Sequence, residues 1–126
     1  NVKLRPEILE QSQEYVSKKY GVEKNHMDLV FHGGSGSSLE QIREAIGYGV
    51  IKMNIDTDLQ FAFCEGVRDY MINNKEYVST QVGNPDGKDK PNKKSYDPRK
   101  WLREGEQTFN KRLKTAFEHL NNVNVL

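Results

Sequence analysis

The chain has 126 residues, 35% of them hydrophobic and 29% charged, with a formal net charge of +1. Its mean hydropathy is -0.85. That length suits one domain, and the near-neutral balance gives no general field for nucleic acid. Its single cysteine, Cys64, excludes an internal disulfide framework and fits a reducing cytoplasm. No apolar run approaches the roughly 18 residues that span a membrane, and no signal peptide is visible. The first residue is Asn1, not methionine, which suggests that something upstream is missing.

Residues 6–20 read as a helix. Pro6 suits the first turn and Gly21 the stop, with Ile8, Leu9, Tyr15 and Val16 on one face. Residues 22–27 are expected to be a loop. The short apolar run at 29–31 reads as a buried strand, followed by a loop of glycines and serines. Ser37 with Glu40, or Ser38 with Gln41, then has the spacing of a capping box. Leu39, Ile42, Ala45 and Ile46 form a helical stripe that Gly47 and Gly49 end. Residues 50–54 read as a second strand, 55–58 as the loop after it and about 58–72 as a third helix, with Leu59, Ala62, Phe63, Val67, Tyr70 and Met71 at helical spacing. Residues 73–97 are poor in apolar groups and read as a long loop. The last helix covers about 98–120, opened by Pro98, with Trp101, Leu102, Gly105, Phe109, Leu113, Ala116, Phe117 and Leu120 as its buried face.

Strands alternate with helices, so the class is α/β with a parallel sheet. Two short strands cannot be covered and edged by four helices alone. The segment is therefore expected to be part of a larger fold, or to have the rest on another chain.

Ligands of α/β folds bind at the carboxyl ends of strands, and both informative loops follow strands. In the run from Gly33 to Ser38, glycines let backbone N–H groups converge, the next helix adds its positive end, and Ser35 and Ser37 add hydroxyls. That suits a phosphate; a tight turn with a helix cap is the alternative. The Lys-Ser/Thr ending of a P-loop is absent. His32 reads either as a structural hydrogen-bonder or as a metal ligand. A catalytic zinc takes about three protein ligands, and neither His26 nor His119 is placed to join His32, so any co-ligands lie outside this sequence. Asn54 could donate to a developing oxyanion, while Asp56 or Asp58 could simply cap the next helix. Lys88, Lys90, Lys93, Lys94 and Lys100 read mostly as solvated, whereas Arg99, held near a helix start by Pro98, could fork onto a phosphate.

The runs "LVFHGGSGS", "VIKMNIDTD", "VGNPDGKDKPNKK" and "YDPRKWLREGE" together resemble the C-terminal third of class II fructose-bisphosphate aldolase, in its dimeric bacterial and fungal branch. The resemblance runs from Asn1 to Leu126 in order. It implies a (β/α)8 TIM barrel whose strands 7 and 8 lie here with their helices, a long loop and a C-terminal helix. Residues 1–126 would be one segment of a single barrel domain, with the upstream two-thirds absent. It implies reversible, zinc-dependent cleavage of fructose 1,6-bisphosphate to dihydroxyacetone phosphate and glyceraldehyde 3-phosphate in the cytoplasm.

By the same resemblance His32 is one of three zinc histidines. Gly33, Gly34 and Ser35 hold the phosphate of dihydroxyacetone phosphate, and the Gly33 carbonyl helps hold a monovalent cation (Na+ or K+). Asn54, Ile55, Asp56 and Thr57 form a second substrate segment, with Asn54 catalytic beside the enediolate. Arg99 reaches the other phosphate across a homodimer interface. The acid/base carboxylates and two zinc ligands would lie before Asn1, so the segment alone should not catalyse. The expected partners are a sugar phosphate, the rest of the barrel and a second copy, with no nucleic acid and no membrane. Two other readings are a tagatose-bisphosphate-type aldolase and a non-catalytic phosphate-binding α/β module.

Overall fold

The computed structural model describes residues 5–125, so the ends of the expected 1–126 segment lie outside the described residues. Ten elements follow in order: α1 (Glu7–Tyr20), β1 (Leu29–Phe31), α2 (Leu39–Gly47), β2 (Val50–Met53), α3 (Thr57–Asn73), α4 (Lys75–Val78), β3 (Val82–Asn84), β4 (Gly87–Pro91), α5 (Lys93–Tyr96) and α6 (Pro98–His119). They divide into two compact units. One holds residues up to Asp56 together with Thr115–Leu126, and the other holds Thr57–Lys114.

In the first unit, β1 and β2 pair in parallel through the α2 crossover, as the alternating pattern required. Pro6 stands at the N-cap of α1 and Gly21 closes it in the left-handed conformation, φ 66°, which glycine adopts without a Cβ penalty. The fully buried side chain of α1 is polar. Gln13 donates from Nε2 to the carbonyls of Met27 (2.7 Å) and Tyr48 (3.0 Å), and its Oε1 accepts from the Met27 amide at 3.0 Å. The expected apolar face is covered in part: Leu9 and Val16 are half-buried, whereas Ile8 is 45% and Tyr15 61% exposed. Periodicity located that face, but among the described residues nothing in this unit packs onto Ile8 or Tyr15 closely enough to bury them. Gly49 lies over the glutamine with φ 92°, and a Cβ there would stand 2.6 Å from Gln13 Nε2. Among the described residues of this unit, Ile42, Ala45, Val50 and Ala116 are the buried apolar side chains.

The strands expose apolar residues too, Val30 and above all Ile51, which is 69% exposed. A sheet of two strands that leaves such side chains in water is incomplete as a core.

The second unit corrects the expected long loop at 73–97. Short helices α4 and α5 flank an antiparallel hairpin, β3 with β4. The hairpin turns through Asn84, Pro85, Asp86 and Gly87, and the Asp86 amide donates to Asn84 Oδ1 at 2.8 Å. Proline second and glycine fourth is the composition of a tight turn. The segment needs few apolar residues because Asn92, 1% exposed, organises it by hydrogen bonds. Its Nδ2 donates to the carbonyls of Thr80 and Gly83, both at 2.9 Å, and its Oδ1 accepts from Asn84 Nδ2 at 2.6 Å. Its own backbone amide donates to the Gln81 carbonyl. A buried amide satisfied on every side replaces the apolar core that the sequence lacks here.

Helices α3 and α6 approach each other at two glycines. A Cβ on Gly66 would collide with the Glu104 carbonyl and with Thr108 Oγ1, and one on Gly105 would stand 2.9 Å from the Phe63 ring. Gly105 was expected on the buried face of the last helix, and it is buried there. Leu102 and Phe117, also expected on that face, are 43% and 40% exposed.

Candidate functional site

The site forms where β1 and β2 end. The pairing starts as Leu29 with Val50, then slips by one residue, so that Val30 faces Lys52 and Phe31 faces Met53. The extra residue is Ile51, a β-bulge. Without the slip His32 would face Met53; with it His32 lies beside Asn54. The Asn54 amide nitrogen stands 2.9 Å from His32 Nδ1.

The backbone holds that arrangement from both sides. The Asn54 N–H donates to the Phe31 carbonyl and the Gly34 N–H donates to the Asn54 carbonyl, both at 2.9 Å. In a regular parallel ladder the second bond would come from residue 33. Gly33 is instead looped out with φ 70°, a conformation that favours glycine. Gly34 is needed for space: a Cβ there would stand 2.6 Å from both Met53 Cγ and Sδ.

The loop then runs into α2. Gly36 takes φ 81°, and Ser38, not Ser37, is the N-cap. The Ser38 Oγ accepts from the Gln41 amide at 3.3 Å, and Gln41 Oε1 accepts from the Ser38 amide at 3.0 Å, a complete capping box. This end of the helix already stabilises negative charge: backbone N–H and then the Ser38 hydroxyl hold the Glu40 carboxyl below its usual range. Several loop amides are spent internally, Gly34 on Asn54, Ser37 on the Gly34 carbonyl and Ser38 on Gln41. Gly33 and Gly36 have no backbone partner for their N–H among the described residues. Fewer loop amides are thus open to a ligand than the glycine count suggests.

A cavity of about 480 Å³ opens beside the loop, lined by His32, Gly33, Ser35, Gly36 and Ser37 and walled on the α1 side by Arg5 and Ile8. That volume is in the range of small-molecule sites. Ile55 is half-buried and Asp56 exposed just past Asn54. Thr57 opens α3 in the second unit, and Arg99 stands near the start of α6 there. The structure therefore brings His32, Gly33, Gly34, Ser35 and Asn54 together.

Arg99 is engaged within its own unit. Its Nε donates to both carboxylate oxygens of Asp97, at 3.0 and 3.2 Å. That fork holds Asp97 down at about 2. Sequence reading passed over Arg112, whose Nη2 bonds Asp58 at 2.9 Å while its Nη1 is buried without a partner. Nothing in the spacing of the terminal helix marks it, since Asp58 lies 54 residues away. It passed over Asn92 as well, although the proline-aspartate-glycine turn just before it was a legible signal of a hairpin.

As a metal ligand, His32 fits one position. Its ring is exposed, and Asn54 fixes its orientation. Among the described residues no three His, Cys, Asp or Glu side chains gather closely enough to hold a metal ion. If the Asn54 amide presents its oxygen to Nδ1–H, the Nε2 lone pair is left for a metal.

A sequence model of the family "Fructose-bisphosphate aldolase class-II" matches residues 1–125. The chain belongs to the class II fructose-bisphosphate aldolase family. Fructose-bisphosphate aldolase of Aspergillus oryzae is 56% identical over 127 residues, covering all of this chain and 35% of that protein. The Campylobacter jejuni enzyme of the same name is 57% identical, over 98% of this chain and 35% of its own length. A crystal structure of fructose-bisphosphate aldolase from Campylobacter jejuni superposes with a TM-score of 0.91, over 98% of this chain and 36% of that one. The chain thus spans about a third of the length of the class II aldolases it matches. Its fold is a portion of the class II aldolase barrel, as the motifs implied. Class II aldolases as a family depend on zinc and act on sugar phosphates. Among the described residues no helix is long and apolar enough to cross a membrane.

Proposed function

We propose that this chain works as part of a cytoplasmic, zinc-dependent fructose-bisphosphate aldolase, which reversibly cleaves fructose 1,6-bisphosphate to dihydroxyacetone phosphate and glyceraldehyde 3-phosphate. The observation that carries the reading is the His32–Asn54 pair at 2.9 Å, directly beside a looped-out Gly33 and a capped helix start. Relatives 52% to 57% identical that bear the name fructose-bisphosphate aldolase support it over a tagatose-bisphosphate enzyme.

His32 would hold zinc through one ring nitrogen, and the remaining ligands would come from outside this chain. Bound zinc would supply a Lewis acid for the ketone carbonyl. Gly33 and Ser35 would hold the phosphate of dihydroxyacetone phosphate, with the N-terminal end of α2 adding its partial positive charge. Gly34 would serve by letting the loop lie against Met53. Asn54 would orient His32 and donate to the oxygen that gains charge during cleavage. Ile55, Asp56 and Thr57 would continue the substrate-facing segment, and the Gly33 carbonyl would help hold a monovalent cation.

Arg99 would take the second phosphate in a homodimer, and that phosphate would have to displace Asp97. The open strand edges and exposed Val30 and Ile51 would be covered by the rest of the barrel.

The test is aldol cleavage by the protein as the cell makes it, coupled to triose phosphate reduction. Cleavage of fructose 1,6-bisphosphate should be lost on chelation and return with zinc. Cleavage that persists after complete zinc removal would overturn the reading. A higher kcat/KM for tagatose 1,6-bisphosphate than for the fructose sugar would reassign the substrate.

A further inference from the structure

Among the described residues that line the cavity beside the glycine-serine loop, Arg5 has the one permanently charged side chain, and none of them is a carboxylate. Arg5 lies outside every motif that identified the family, yet its position is fixed. Its carbonyl accepts the Ile8 amide at 3.1 Å, and Pro6 stiffens the chain directly after it at φ -58°. The backbone of Arg5 is thus part of the first turn of α1, while its long side chain is mostly exposed.

At present Arg5 Nε donates to Glu7 Oε1 at 2.8 Å, with the two side chains 62% and 48% exposed. An ion pair that open to water holds weakly. A phosphate dianion offers a guanidinium two parallel charge-assisted bonds and a larger charge. We propose that Arg5 is a phosphate-selecting residue of this cavity, exchanging Glu7 for the phosphate held at Gly33–Ser35. This rests on the reading of that loop as a phosphate site. Arg5 would then make the cavity favour a doubly charged phosphate over an uncharged or singly charged analogue of the same shape.

Inorganic phosphate is the probe, used both by isothermal titration and as an inhibitor of cleavage in the protein as expressed. R5Q should weaken phosphate binding about tenfold, the worth of one charge-assisted contact, and raise KM more than it lowers kcat. R5K should recover part of the loss, keeping the charge without the fork. E7Q, which removes the competing carboxylate, should bind phosphate more tightly than wild type, an effect that a merely structural role for Arg5 does not produce. Wild type that binds phosphate and cleaves fructose 1,6-bisphosphate, with R5Q and E7Q binding phosphate unchanged, overturns the role of Arg5 alone. Wild type that does neither overturns the reading of the loop, and the role of Arg5 with it.

Discussion

His32 and Asn54 stand side by side because the two strands that carry them are out of simple register by one residue. The slip at Ile51 moves Asn54 opposite the histidine, and the Asn54 side-chain amide, 2.9 Å from His32 Nδ1, holds the ring. A metal ligand whose orientation is fixed by a neighbour binds more tightly than a freely rotating one. Asn54→Ala should therefore weaken zinc binding about tenfold and lower kcat about a hundredfold, with the far-ultraviolet circular dichroism unchanged. Zinc content per protomer, read by atomic absorption after dialysis, and kcat at saturating sugar check the two effects. Retention of both would mean that the pair is only structural.

The loop glycines should respond differently to one methyl group. At Gly33 the surroundings are open and the cost is conformational, φ 70°. Gly33→Ala should therefore lose about 1 kcal/mol while moving the loop proposed to hold the phosphate. At Gly34 the Cβ meets the Met53 side chain at 2.6 Å, so Gly34→Ala should cost about 1–3 kcal/mol by overpacking. The paired change Gly34→Ala with Met53→Ala should regain part of that loss. Urea unfolding of each variant decides it, and equal losses in the single and paired variants would discount the contact.

Asn92 is the organising side chain of the hairpin unit. Asn92→Ala leaves the Thr80 and Gly83 carbonyls and the Asn84 amide without their buried partner, at a cost of about 2–4 kcal/mol. Asn92→Asp should be damaging as well, because a carboxylate cannot donate to the two carbonyls. Proteolysis should then cut between residues 80 and 92 in either variant. A native cleavage pattern would show that the turn holds without it.

Acid should act through Asp97. The Arg99 guanidinium and its backbone N–H hold the carboxyl at about 2, against an ordinary 3.8. The folded value is depressed, so this contribution is full above 3.8 and is lost as the pH falls through about 2. Arg99→Gln should return Asp97 toward its ordinary value and remove this part of the acid sensitivity. A carbon-detected NMR titration of the Asp97 carboxyl measures it directly, and an unchanged midpoint in the variant would rule out the pairing in solution.

Much of this was legible in the linear chain. The helix limits near Pro6 and Gly21, the β/α alternation and the glycine-serine loop all follow from local chemistry, and the four motifs carried the family. Residues 73–97 read as loop from their low apolar content, while Asn92 supplies order there by hydrogen bonding. The apolar face of α1 was found by periodicity, but its burial depends on neighbours that periodicity cannot name.

The sequence by itself determined which groups are available at the strand ends: one imidazole, one amide, flexible glycines and hydroxyls, each set by local residue type. Only the tertiary structure decided which of them meet. That decision rests on a one-residue slip at Ile51, a left-handed Gly33 and a Ser38 cap. The slip is a property of backbone pairing between strands some 20 residues apart, and a one-residue bulge is not written in the short apolar runs themselves, whereas the Ser38 cap is local and its spacing is legible in the chain. Asp58 and Arg112 likewise lie far apart in the chain and meet only where α3 and α6 pack together.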